Sequence, residues 1–251
     1  SKNDENSIAD SNNNISEEQI KYWVEEYEFP KEKNEFTLNL FNLSLDTPIK
    51  LTDLEDKCDY FEYIGRTSEG RATRKAEKIS DIETTLEEGR ELSVYLYMND
   101  GTRPQLTEFI IKNNSDENKS TQECIANGWW YFYEDYSNRA RCDANDFGME
   151  FKDKYYMKGD MLLLEDIVKK LGRPTRIIPT VGNPEKKEGT VGSIRYDIVY
   201  EYSDCVFVVV IGETLHLVSK NGKLRIEGLG YFTPESWKND EYALIEENLL
   251  K

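Results

Sequence analysis

Any nucleophilic triad or Cys–His pair in this chain would have to draw its base from His216, the single histidine among 251 residues. It stands between Leu215 and Leu217 in an alternating segment, the setting of a strand-surface residue, and no G-x-S-x-G elbow accompanies it. Cys58, Cys124, Cys142 and Cys205 are widely separated, without a CxxC pair, so zinc-finger and redox spacings are both missing. Cys124 and Cys142 flank one aromatic segment and are the best candidates for a bridge. Unpaired thiols packed as small hydrophobes are the plainer reading. There is no Walker loop and no G-x-G-x-x-G; Gly228 and Gly230 fall in a strand-like run, where glycine marks a bulge or a close approach. A glycosidase needs two carboxylates about 5–9 Å apart. No pair here is privileged, and a solvated acidic face accounts for nearly all of them. Asp143, Asn145 and Asp146 offer hard oxygens to calcium, but not at EF-hand spacing, and an Asx-rich turn suffices. The expectation is a non-enzymatic chain with no cofactor and no metal.

The most distinctive cluster is Trp129-Trp130-Tyr131-Phe132-Tyr133. On a strand, Trp130 and Phe132 face one side and Trp129, Tyr131 and Tyr133 the other. Tyr95 and Tyr97 alternate with Leu92, Val94 and Leu96 and so fall on the side away from the core. If helices cover one face, Trp129, Tyr131, Tyr133, Tyr95 and Tyr97 form an exposed stripe. Such a stripe suits a protein, peptide or carbohydrate ligand, because aromatics offer large area with little rotamer freedom to lose. Burial of both sides is the competing outcome.

Composition limits the partners. With 32 basic and 49 acidic residues the net charge is −17, a field that repels phosphate backbones and speaks against nucleic acid. The main basic grouping, residues 71–78, is mixed and carries no interleaved aromatics. No apolar run approaches the ~20 residues that span a bilayer. Residues 1–14, SKNDENSIADSNNN, are polar and Asn-rich and read as a flexible leader. They fit either a disordered cytosolic terminus or the tether after a removed signal and a lipidated cysteine.

Behind the leader, residues 15–30 read as a helix. Ser16 and Gln19 make a capping box, Ile20, Trp23, Val24 and Tyr27 share a face, and Pro30 stops it. Residues 36–45 alternate as one half-buried strand. Thr52 and Glu55 mark the capping box of a short helix, and Ile79, Ile82 and Leu86 recur at helical spacing. Strands are expected at 60–64, 92–98, 106–112 and 124–134, with a loop over 113–121. In the second half, Leu164, Ile167, Val168 and Leu171 mark a helix capped by Gly172. Strands follow at 194–202, 205–211, 214–219 and 223–232, and the C-terminal end reads as helical.

Two short matches recur in order: Leu54-Glu55-Asp56 with Leu164-Glu165-Asp166, and Gly128-Trp-Trp-Tyr131-Phe132 with Gly228-Leu-Gly-Tyr231-Phe232. They imply an α+β fold of two diverged helix-plus-antiparallel-sheet repeats, residues 36–135 and 150–251, behind the N-terminal helix. The run from Gly159-Asp160 through Leu171-Gly172-Arg173-Pro174, followed by the tyrosine-rich strand at 194–202, resembles a pattern of secreted Gram-positive lipoproteins. More distantly it resembles the repeat of the β-lactamase-inhibitor-protein-like superfamily. The likeness covers residues 158–232; in the first half Cys58 and Asp59 stand where its Gly-x-Pro would be. It implies an extracytoplasmic, surface-anchored monomer, touching the membrane only through a lipid at its N-terminus. The function expected is a non-catalytic binding or inhibitor-like module; the alternatives are an assembly lipoprotein of the cell envelope or an enzyme of unknown type.

Overall fold

The structure, a computed structural model, describes residues 21–22, 24–29, 34–40, 43–44, 49–67, 70–82, 85–100, 106–132, 147–158, 163–181, 194–211, 226, 228–237, 243–244 and 249–250. In chain order its first strands are β1 (Phe36–Leu40), β2 (Leu43–Ser44), β3 (Ile49–Lys50), β4 (Tyr60–Thr67), β5 (Gly70–Ala76) and β6 (Thr85–Leu86). β7 (Glu91–Tyr97), β8 (Leu106–Lys112), β9 (Lys119–Ser120), β10 (Ile125–Phe132), β11 (Phe147–Phe151) and β12 (Tyr156–Lys158) follow. Helix α1 (Leu164–Leu171) precedes β13 (Arg176–Val181), β14 (Ile194–Glu201), β15 (Val206–Ile211), β16 (Gly228–Phe232) and β17 (Ala243–Leu244).

Most strands join one 11-stranded antiparallel sheet, ordered β17-β13-β14-β15-β16-β10-β8-β7-β4-β5, with β3 pairing on β10. A 4-stranded sheet, β12-β11-β1-β2, packs against it, and β6 and β9 form a small ribbon. The expected balanced α+β fold of repeated helix-plus-sheet units is therefore corrected: the chain is mostly antiparallel β. Among the described residues the first half shows no counterpart of α1. Leu51–Leu54 is a single 3-10 turn, too short a run to nucleate an α-helix. Its cap is Asp53, which accepts the Lys50 N–H at 3.0 Å. The expected partner of Thr52, Glu55, instead accepts the N–H of Ile79 at 2.9 Å. Ile79 belongs to another 3-10 turn and Leu86 to β6, so their helical spacing is accidental.

Other expectations shift for similar reasons. The alternating run at 36–45 folds back on itself, Leu40 pairing with Leu43 and Asn39 with Ser44, in the small sheet. The expected loop at 113–121 contains β9. The C-terminal end contributes β17, whose Ala243 and Leu244 pair with Val181 and Thr180, where a helix was expected. Of the helix at 15–30, residues 21–22 and 24–25 are helical; its capping box lies outside the described residues, as do the leader, Gly159-Asp160 and the strand at 214–219.

The elements that position the sheet read clearly. In α1, Leu164, Ile167, Val168 and Leu171 are all buried, and Gly172 ends the helix at φ 78°, ψ −155°, a backbone region open essentially to glycine. β15 is buried along its whole length, as befits a mid-sheet strand with apolar residues on both sides. The first face of the large sheet forms one continuous core with α1, the 3-10 turns and the small sheet; Phe61, Val94, Phe109, Trp129, Tyr131 and Phe207 all enter it.

Candidate binding face

The face opposite that core is where alternation places every second residue of the strands. In β10, Trp129 and Tyr131 belong to the first face, 2% and 0% exposed, and Trp130 points the other way, half-buried. The phase expected for the aromatic stripe is thus reversed. Trp129, stacked on Tyr231 at 5.8 Å, and Tyr131 are core residues and offer nothing to a ligand. Tyr133 lies outside the described residues. Tyr95 and Tyr97 do face away from the core, since Leu92, Val94 and Leu96 enter it. Tyr95 is half-exposed. Tyr97 is only 6% exposed because Tyr60, its cross-strand neighbour, stacks on it at 5.2 Å with an interplanar angle of 8°. The Lys75 ammonium sits 4.0 Å over the Tyr60 ring, closing a three-layer stack.

What fixes the phase of β10 is glycine. β10 and β16, the two segments matched in sequence, lie side by side: Gly128 pairs with Phe232, Trp130 with Gly230 and Phe132 with Gly228. A Cβ on Gly128 would come within 2.3 Å of the Phe232 ring, and one on Gly230 within 2.7 Å of Trp130. The glycines therefore let Trp130 and Phe232 lie down across the second face, 4.9 Å apart, with Trp237 5.0 Å from Phe232. The close-approach reading of Gly230 holds.

From this aromatic centre the face divides. Toward β14 it is apolar and sealed: Val199, Val206, Val208, Val210 and Ile178 are buried with Phe232. Asp197, whose neighbours across the ladder are Ile178 and Val210, is fully buried there too. At the rim, Arg176 donates through Nη2 to Glu201 Oε1 at 2.8 Å. Toward β4 the face is half-exposed and mixed: Glu62, Ile64, Ser93, Tyr95, Glu108, Ile110 and Trp130 all have intermediate burial. Glu62 pairs with Tyr95, Ile64 with Ser93, Ser93 with Ile110, and Glu108 with Trp130. Glu62 and Glu108 were not singled out in the sequence, and Trp130 was assigned there to the side opposite the expected stripe. The period-two alternation of β7, carried onto β4 and β8, would have found the first two.

Cys58 and Cys124 are free thiols, so the Cys124–Cys142 bridge is not made. Burial raises the Cys58 thiol to about 12 and lifts that of Cys124, which keeps both protonated near neutrality. Among the described residues no three His, Cys, Asp or Glu side chains gather as a metal site, and no helix is long and apolar enough to cross a membrane. His216, Asp143, Asn145 and Asp146 lie outside those residues. Compared with known proteins, the chain matches no family model, no curated protein and no solved structure.

Proposed function

We propose that the protein is a non-catalytic binding module that takes its ligand on the mixed half of the second sheet face. The observation that carries this is the pairing of partly buried aromatic side chains with carboxylates on one sheet face. Tyr95 stands beside Glu62 and Trp130 beside Glu108, with Ser93 and Ile110 on the adjoining positions of β7 and β8. Flat apolar rings flanked by acceptors suit a sugar chain or a peptide, each of which presents apolar edges and hydroxyl or amide donors. The strands hold these side chains on a rigid platform, so little ordering cost attends binding. The resemblance of residues 158–232 supports placing this activity outside the cytoplasm, tethered at the cell surface; proteolysis of intact source cells, which would spare a cytosolic protein, tests that placement.

For the binding activity, the folded protein is screened on a glycan array and against a displayed peptide library, and any ligand retained is re-measured with Tyr95→Ala and Trp130→Ala. Loss of affinity of at least about tenfold in both variants, about 1.4 kcal/mol, is expected for side chains central to a contact. Ligands that bind both variants as well as the parent place the site elsewhere and end the proposal.

A further inference from the structure

Residues 71–78 hold Arg71, Arg74, Lys75 and Lys78, a basic grouping in a chain of net charge −17. The fold makes this grouping the long outer edge of the large sheet. β5 ends the strand order and pairs with β4 through seven consecutive positions, Phe61↔Ala76 to Thr67↔Gly70, with no bulge to twist it away. No described strand lies on its other side, and Thr73, Arg74 and Lys75 are all exposed. The opposite edge, β17, is only 2 residues long. Alternation in an antiparallel ladder turns half of the β5 N–H and C=O groups outward, a template for one more strand.

Its charge decides which strand. A second copy presenting its own β5 would set Arg and Lys against Arg and Lys, and directly opposed like charges disfavour that pairing. The same side chains that refuse a copy favour carboxylates at the facing positions. Lys75 projects on the second face, where it covers Tyr60, and Arg74, the partner of Tyr63, on the first. An acidic strand would meet a cation on either face.

We propose that β5 accepts an acidic extended peptide as an additional strand, with ladder hydrogen bonds giving affinity and Arg74 and Lys75 giving selectivity. The site is the outer edge of β5, two strands from Tyr95, although Lys75 pairs across the ladder with Glu62 of the mixed face. The test uses the full chain and a fluorescein-labelled (Glu-Val)4 peptide, followed by anisotropy, beside (Lys-Val)4 and a (Glu-Val)4 peptide N-methylated at every residue. The acidic peptide is expected to bind saturably. R74E/K75E should weaken it at least tenfold; giving up the Lys75–Tyr60 contact and setting a carboxylate opposite Glu62 lowers the melting point, but the variant stays folded at the assay temperature. The N-methylated peptide, with its charge kept and its donors gone, should not bind. Tyr95→Ala should leave the affinity unchanged. Equal binding of the N-methylated peptide would reveal charge adhesion without strand addition. That result, indifference to R74E/K75E, or no saturable binding of (Glu-Val)4 overturns the proposal.

Discussion

Asn113 is 1% exposed, and its amide donates to the carbonyls of Leu86 at 2.8 Å and Glu117 at 2.7 Å. Its Oδ1 accepts from the Ser115 N–H and hydroxyl, and its backbone bonds to Gly89 and Arg90. One side chain thus ties the loop after β8 to the segment before β7. Asn113→Ala removes this donor from the Leu86 carbonyl and the acceptor of the Ser115 N–H, while the Ser115 hydroxyl still reaches Glu117 O, and urea titration should show a loss of about 1–3 kcal/mol. A loss below about 0.5 kcal/mol would mean that water replaces the amide. Cys58 makes a separate, chemical prediction. Burial, with Asp59 and Glu55 adding repulsion, moves its thiol from the ordinary 9.0 to about 12. Because ionisation is opposed in the folded state, its contribution to stability is complete below pH ~9 and is lost as pH rises toward ~12. Near pH 8, below that window, the folded thiol is therefore much less ionised than that of an unfolded chain. Peptide mapping after iodoacetamide should show Cys58 unmodified in native buffer and alkylated in urea; equal rates in both would contradict this.

At the scale of elements, β10 and β16 show what glycine does in a sheet. Gly230→Ala would drive a methyl to within 2.6 Å of Phe232 and 2.7 Å of Trp130, both held against neighbouring rings. The expected cost is about 1–3 kcal/mol, the usual penalty for overpacking, with a shifted tryptophan emission. The same pair explains what could be read in advance. Alternation of Leu92, Val94 and Leu96 against Ser93 and Tyr95 fixed the phase of β7, and helical spacing fixed the buried face of α1, because in each only one side is apolar. In β10 both sides are aromatic, so alternation gives no phase. It is set by Gly128 within the strand and by Gly230 on its neighbour, about a hundred residues away. The run at 36–45 also alternates cleanly, yet its turn at mid-run carries no Gly or Pro, so a hairpin looked like one strand. Leu51, Leu54, Ile79, Ile82 and Leu86 were rightly apolar and are all buried, but through 3-10 turns and a short ribbon. Burial was legible at these positions; element type was not.

For the whole molecule, the decisive feature is the seam. Among the described residues, the strands before and after α1 join in one ladder where β10 and β16 pair, in the middle of the large sheet, through five consecutive positions. The core beneath runs across that seam without interruption: Phe109 and Trp129 from one side share a cluster with Phe207 and Leu229 from the other and with Leu164 of α1. The small sheet reinforces it, since Phe36 of β1 lies 5.0 Å from Phe207 of β15. Separating the two sides would therefore expose apolar surface on both, and at about 25 cal/mol per Å² even a few hundred Å² exceeds what either could recover alone. A chain of 251 residues is long enough that independent transitions are the ordinary outcome, which makes their absence informative. Urea unfolding followed by far-UV circular dichroism, which averages over the sheet, should coincide with that followed by tryptophan emission, dominated at the seam by Trp129 and Trp130. Adding salt should shift both curves together to higher urea, because screening relieves the self-repulsion of a net charge of −17. Two transitions that separate, with the tryptophan signal lost first, would mean that the seam is a docking contact between units able to stand apart.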